Sequence, residues 1–349
     1  MKFISFLPLV LILWSAFSYP QAKKHYTVRT VAFYNVENLF DTINDPNTFD
    51  DDRTPQGKDH WTSDYYTDKL HKIARVISEI GAAVTGTSPD IVGLCEVENY
   101  EVLYDLVHHT KLSDENYGII HFDSPDERGV DTALLYKKEV FLPMSFKNYP
   151  LYLYHKDGRR DYTRDQLLVS GLLDGEELHF IVNHWPSRSG GEARSRPGRE
   201  AAAALNKKII SLIRTTDPEA KIISMGDLND DPSSSSLKKV LKTEGKRYRI
   251  KAEALYNPME ALARRGLGSI AHYDSWHLFD QLFFTETLLR ENETGYRYWK
   301  AGIYNKPYLM VGSGRYKGYP FRSYTRGTYT GGYSDHFPVY LYLIKETGH

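Results

Sequence analysis

The feature that most constrains this chain is a series of polar residues placed at the ends of short apolar runs along its whole length. VAFYNVENLF carries Asn35 and Glu37, DIVGLCEVEN carries Glu96, HFIVNHWPSR carries His184, and IISMGDLND carries Asp227 and Asn229. Asp280 lies in HLFDQLFF, and Asp335 and His336 lie in YSDHFPVYLYL. An apolar run of this length is a candidate buried strand, and a polar group at its end lies on the rim of a sheet. If the rims converge, their carboxylates, amides and imidazoles make one site for a hard metal ion and a phosphate.

Composition permits such a fold without naming a partner. The 349 residues are 41% hydrophobic and 13% aromatic, ample for a sizeable core. No linker, repeat or second composition regime follows the N-terminus, so residues 23–349 read as a single domain. A formal net charge of −1 provides no global basic field. That does not exclude a nuclease, because a bound metal brings its own positive charge to a phosphate. At the N-terminus, Lys2 precedes an apolar stretch from Phe3 to Phe17, and small residues lead to Ala22. This pattern reads as a signal peptide over residues 1–22 and an exported, periplasmic or extracellular protein. A membrane anchor is the alternative, but the stretch is shorter than the roughly 20 residues a spanning helix needs. The single cysteine, Cys95, sits inside an apolar run and reads as a small buried hydrophobe.

Periodicity predicts strands over residues 27–36, 91–95, 117–122, 132–136, 166–173, 178–183, 221–225, 278–284 and 337–343. Helices are expected from Ser63 or Asp64 to about Val84, over residues 100–108, and over residues 199–214. Asp174-Gly175 signals a hairpin whose loop, with four polar residues, is expected to exceed a minimal turn. Residues 242–273 and 296–333 read as long loops. Strands, hairpins and helices interleave without strict alternation, which points to mixed sheets.

Phosphoester hydrolysis needs a cation at the phosphate, a base for water and help for the leaving oxygen. Glu96 closes a strand and is the first choice as ligand. Oxygen ligands suit Mg²⁺, Mn²⁺ or Ca²⁺, and no Cys/His cluster has zinc spacing. Asn35 and Glu37 are two apart, as are Asp227 and Asn229, so an extended backbone would point each pair to one side. His336 can act as base or phosphate donor only if its other ring nitrogen is held, and Asp280 is the evident partner.

These motifs, in this order across some three hundred residues, resemble the endonuclease/exonuclease/phosphatase superfamily. The resemblance implies an α/β fold: a four-layer α/β sandwich of two packed mixed β-sheets flanked by helices. It implies Glu96 as metal ligand, with Asn35, Glu37 and Asp335 nearby. It gives His336 with Asp280, assisted by Asp227, the activation of water, and gives Asn229 the binding of phosphate. A histidine at the position of His184 serves the leaving oxygen in the deoxyribonuclease branch. Ser187 and Arg188 read either as phosphate contacts or as plain loop residues, and Asp131 as a support behind the ligands. The expected activity is that of an exported metal-dependent phosphoesterase, a nuclease and by this reading an endonuclease, with Mg²⁺ (or Mn²⁺/Ca²⁺) as cofactor and nucleic acid as substrate. Basic residues around 188–199 and 317–326, interleaved with Tyr319, Phe321 and Tyr324, fit a nucleic-acid backbone or a solvated loop. The rival is a phosphatase or phosphodiesterase acting on a lipid head group or small phosphorylated molecule. A non-catalytic binding protein on the same fold would show losses at the catalytic positions, and none is seen.

Overall fold

The computed structural model describes residues 24–272, 274–291, 294–325 and 327–347. The signal-peptide reading over residues 1–22 lies outside the described residues. Twelve strands build the two large sheets: β1 (His25–Leu39), β2 (Ile91–Val97), β3 (Tyr117–His121), β4 (Asp131–Lys137), β5 (Phe141–Tyr149), β6 (Gln166–Leu173), β7 (Glu176–His184), β8 (Ile222–Asp227), β9 (Leu255–Tyr256), β10 (Asp280–Thr285), β11 (Arg297–Ile303) and β12 (Val339–Thr347). Three helices flank them: α1 (Ser63–Glu79), α2 (Tyr100–His108) and α3 (Glu192–Thr216). The first sheet runs β11-β12-β1-β2-β4-β3 and the second β9-β10-β8-β7-β6-β5. Each has one parallel pair at its centre, β1 with β2 and β7 with β8, bridged by α1 and α3 respectively. All other neighbours in the two sheets are antiparallel.

Four layers follow from strands that are apolar on both faces. Val31 and Phe33 of β1 face inward, where they meet Phe180, Val182, Ile223 and Met225 of the second sheet. Their neighbours Ala32 and Tyr34 face outward onto Ile73, Val76 and Ile77 of α1. Ile181, Ile222 and Phe283 of the second sheet face outward onto Ala202, Ala203 and Ile209 of α3. Among the described residues no helix is long and apolar enough to cross a membrane.

Several expected boundaries move, each for a local reason. The helix expected to reach Val84 stops at Glu79, because Gly81 takes a left-handed φ of 78°. A Cβ there would also meet the Thr30 side chain at 2.8 Å. Asp174-Gly175 is a minimal two-residue hairpin after all, with both φ values positive (47° and 80°). Helix α3 begins at Glu192, a full two turns before the expected start, and accommodates Pro197. Strands β5 and β11 were absent from the sequence reading. Both are edge strands with largely exposed or half-buried side chains, so neither shows a continuous apolar run.

Candidate active site

The site is where the core between the sheets runs out. Side chains alternate along a strand, so residues two apart share a face. Asp227 follows inward-facing Met225, His184 follows Val182, Asn35 follows Phe33, and Asp280 precedes Leu282. Strand register then sets Asp227 opposite His184 on one side and Asp280 on the other. The polar rim of the second sheet is thus the continuation of its own inner apolar stripe.

Asp227 is the hub. Its Oδ2 accepts from Asn35 Nδ2 at 3.1 Å and lies 3.8 Å from both His184 Nε2 and His336 Nε2. Asn35 Nδ2 also lies 3.3 Å from Glu96 Oε1, which is 3.8 Å from His184 Nε2. Glu96 Oε2 accepts the Asn38 N–H at 3.0 Å. His336 Nδ1 and Asp280 Oδ2 are 2.6 Å apart, in full burial. Ser334 fastens this loop by donating to the Asn35 carbonyl and accepting the His336 N–H. Asp335 Oδ1 lies 3.9 Å from His336 Nε2.

The two pairs expected from extended backbone are built differently. Glu37 and Asn229 are left-handed (φ 52° and 48°), and each turns its N–H back to the side-chain oxygen of Asn35 or Asp227, at 2.9 Å. The same local turn therefore ends β1 and β8. It sends Asn229 Nδ2 to the Trp185 carbonyl at 3.0 Å and the Glu37 carboxylate to Ser323, whose N–H donates at 2.5 Å. Four of the ten left-handed non-glycine residues among those described (Glu37, Asn38, Glu96 and Asn229) lie here. Backbone strain of this kind persists only where the surroundings enforce it, and it concentrates at functional sites.

Charge states differ sharply across the site. Burial alone would push the His336 imidazolium down, but the Asp280 and Asp227 carboxylates outweigh it and hold His336 well above its ordinary value. Burial pushes His184 well below its ordinary value, and Arg164, Arg128 and His336 push in the same direction. Burial lifts Asp227 to about 6, with Asp280 and Glu96 adding to it and His336 opposing. Burial and the Glu37 charge raise Asp335, whose side chain keeps a quarter of its surface in water.

Such crowding of carboxylates fits a divalent cation. Glu96, Glu37 and Asp335 put three carboxylates on this rim, a donor type suited to a hard ion, whereas Asn35 gives its amide N–H groups to Glu96 and Asp227 and its oxygen to the Glu37 N–H. Asp227, Asp280 and His336 cluster closely enough to ligate, but their imidazole–carboxylate hydrogen bond already uses the facing atoms. Asp131 belongs to a separate cluster with His121 (3.0 Å) and Asp123. It also accepts the Ser124 N–H at 2.7 Å. Arg188 donates to the Asn229 carbonyl at 2.9 Å and lies over the Phe279 ring, so it braces the turn that carries Asn229. Ser187 lines a neighbouring cleft.

Three contributors were missed by sequence reasoning. Lys69, fully buried, donates to the Glu37 carbonyl at 2.8 Å and to Ser323 Oγ, and burial lowers it to about 8. A signal existed: Lys69 shares the apolar stripe of α1 with Ile73 and Val76. Arg322 spans two ligand candidates, with Nε 3.3 Å from Glu37 Oε1 and Nη2 2.7 Å from Asp335 Oδ2. Arg164 is buried, pairs with Asp126 at 3.0 Å and donates to the Trp185 carbonyl at 2.8 Å. Arg322 falls in the basic stretch 317–326 that was read as a backbone contact or a solvated loop, not as a partner of these carboxylates, and Arg164 carries no spacing that would have marked it.

Two cavities adjoin the site. One of about 500 Å³ is lined by Asn38, Phe40, Arg53, Lys58, Arg128 and Arg322, next to the Glu37–Asp335 pair. The other, of about 1080 Å³, is lined by Tyr154, Lys156, Arg159, Tyr162, Arg164 and Arg194 among others, next to the strand end that carries His184.

A family model described as Endonuclease/Exonuclease/phosphatase family matches residues 30–345. Among solved structures, the chain is similar to D. rerio TDP2 complexed with single strand DNA product, with 16% identity, coverage of 91% of this chain and 99% of that one, and a TM-score of 0.52. It is similar to an endonuclease/exonuclease/phosphatase family protein from Bacteroides thetaiotaomicron at 18% identity (94% and 98% covered, TM-score 0.53). It is also similar to a mannosyl-6-phosphatase of Bacteroides thetaiotaomicron at 17% identity (90% and 99% covered, TM-score 0.52). No curated protein matches the sequence.

Proposed function

The chain belongs to the endonuclease/exonuclease/phosphatase family, and from that membership we propose that it is a divalent-metal-dependent phosphodiesterase that hydrolyses nucleic acid. The observation that carries the choice of diester is the pair of cavities, one beside Glu37 and Asp335 and one beside His184. A phosphodiester bears a substituent on each side of phosphorus, whereas a monoester bears one. Tyrosines interleaved with basic residues in the larger cavity fit bases and backbone phosphates.

The roles follow from the charge states. Asp227, still ionised near neutrality yet more basic than an ordinary aspartate, takes the proton from the attacking water. His336, held charged by Asp280, donates to a phosphate oxygen and stabilises the charge that builds there. His184 faces the leaving oxygen, and a bound phosphate beside it favours its taking up the proton that this oxygen needs. Glu96, with Asn35, Glu37 and Asp335 around it, would hold a divalent cation, which would supply Lewis-acid polarisation of the phosphate.

The fold neighbours include a protein crystallised with a single-stranded DNA product and a mannosyl-6-phosphatase, and at these identities the likeness speaks for fold alone. Both chemistries therefore belong in the test. Purified protein is offered plasmid DNA, single-stranded DNA, RNA, sphingomyelin and mannose 6-phosphate, with Mg²⁺ or with EDTA. We expect cleavage of nucleic acid that EDTA abolishes. Turnover of mannose 6-phosphate alone would make the protein a phosphatase, and turnover of none would favour a binding protein.

A further inference from the structure

We infer that Arg322 is a stand-in cation that holds the Glu37–Asp335 pair until a divalent ion takes the carboxylates, and that the freed guanidinium then binds an anionic group of the substrate. This rests on the metal-dependent reading above. Arg322 lies on the loop after β11, and its fork reaches Glu37 Oε1 at 3.3 Å and Asp335 Oδ2 at 2.7 Å. Both carboxylates reach the same guanidinium at the rim that carries Glu96, so one positive charge sits where the metal-dependent reading places another. The two cannot share these oxygens, because a guanidinium and a divalent ion at contact distance repel and compete for the same lone pairs.

Glu37 is held in place, while the arginine is half exposed. Glu37 is buried, and its other oxygen is pinned by the N–H and Oγ of Ser323, while Lys69 anchors Ser323 from beneath. The Arg322 side chain is 50% exposed and already lines the adjoining cavity of about 500 Å³. In that cavity Arg53 pairs with Asp59 at 3.2 Å, Lys58 with Asp52 at 3.5 Å, and Arg128 with Asp126 at 3.5 Å. Asp52 and Asp59 also line this space and pair with Lys58 and Arg53, so an anion bound there meets chiefly Arg128 and the released guanidinium. A phosphate group supplies that anion, and the arginine fork suits it. Metal and anion consequently favour each other's binding, and by linkage the effect is reciprocal.

The test is calorimetric and needs no turnover. Mg²⁺ affinity is measured for wild type, Arg322→Gln and Arg322→Lys, with and without inorganic phosphate, and inorganic phosphate affinity is measured with and without Mg²⁺. In wild type, each should tighten the other. In Arg322→Gln, Mg²⁺ alone should bind about fivefold or more tightly than in wild type, and phosphate should bind Mg²⁺-loaded protein several-fold more weakly, at the lower end of usual site-to-site coupling. The wild-type coupling should shrink toward none, with Arg322→Lys between the two because it keeps charge and loses the fork. An Mg²⁺ affinity unchanged or weakened by Arg322→Gln overturns the inference and leaves the metal-dependent reading standing. Independence of Mg²⁺ and phosphate in wild type overturns it without any variant. Absence of Mg²⁺ binding in wild type removes both.

Discussion

The two halves of the site approach one oxygen with the same residue type and hold it in opposite charge states. His184 comes from the second sheet and His336 from the loop entering the first, and each places Nε2 3.8 Å from Asp227 Oδ2. Burial acts on both in the same direction, so it does not explain the difference. The second ring nitrogen does. His336 Nδ1 has Asp280 at 2.6 Å, whereas His184 Nδ1 is buried with no hydrogen-bond partner among the described residues and feels Arg164 and Arg128. A histidine's role near neutrality is therefore set by what stands behind it rather than by what it faces.

The most severe way to break this contrast is to neutralise Asp280. Asp280→Asn and His336→Ala should each lower kcat/KM on DNA by about 10³-fold or more, within the range of acid–base and electrostatic effects combined. The double variant should lose little beyond the worse single, since residues acting as a unit are non-additive. Strictly multiplicative losses would show that the pair does not act as one.

On the other half, His184→Gln should cost about 10²-fold on DNA. The loss should be far smaller on a 4-nitrophenyl phosphodiester, whose leaving group needs no proton. Equal losses on both substrates would detach His184 from the leaving oxygen. Arg128 offers a milder probe, because its side chain is half exposed and its removal spares the core. Arg128→Gln should move the NMR titration of His184 upward, and an unmoved titration would show that its neighbour's charge is not part of the depression.

The smallest effect concerns stability. Asp227 is raised from 3.8 to about 6, so the fold favours its protonated form. Between those values the unfolded chain has released this proton and the native state keeps it, so the stability due to Asp227 falls as pH rises. A divalent cation at the neighbouring Glu96 offsets that loss, because its charge favours the ionised form of Asp227. Mg²⁺ should therefore raise Tm by a few degrees more at about pH 8 than at about pH 5. Equal shifts at both would mean that the cation binds away from these carboxylates.

Much of this arrangement was legible beforehand for a simple reason. The inner stripe of β8 and its polar end, Met225 and then Asp227, are spelled out within three residues, and the same holds for Val182 and His184. Such local patterns survive folding because strand geometry forces alternate residues to one face. Edge strands β5 and β11 escaped notice since half their side chains meet water and no periodicity marks them. The left-handed turns at Glu37 and Asn229 escaped as well, because an extended reading of N-x-E and D-x-N is the default until the side-chain oxygen captures the N–H.

By itself, the sequence determined which residues would line a sheet rim, since period-two patterning is a property of neighbours along the chain. Only the tertiary structure decided what those residues are chemically. The charge of His336 depends on Asp280, 56 positions away, and Glu37 is held by Lys69, Arg322 and Ser323 from distant segments. Coulomb and hydrogen-bond energies depend on separation in space and on exclusion of water, and both come into being only when the two sheets close upon each other.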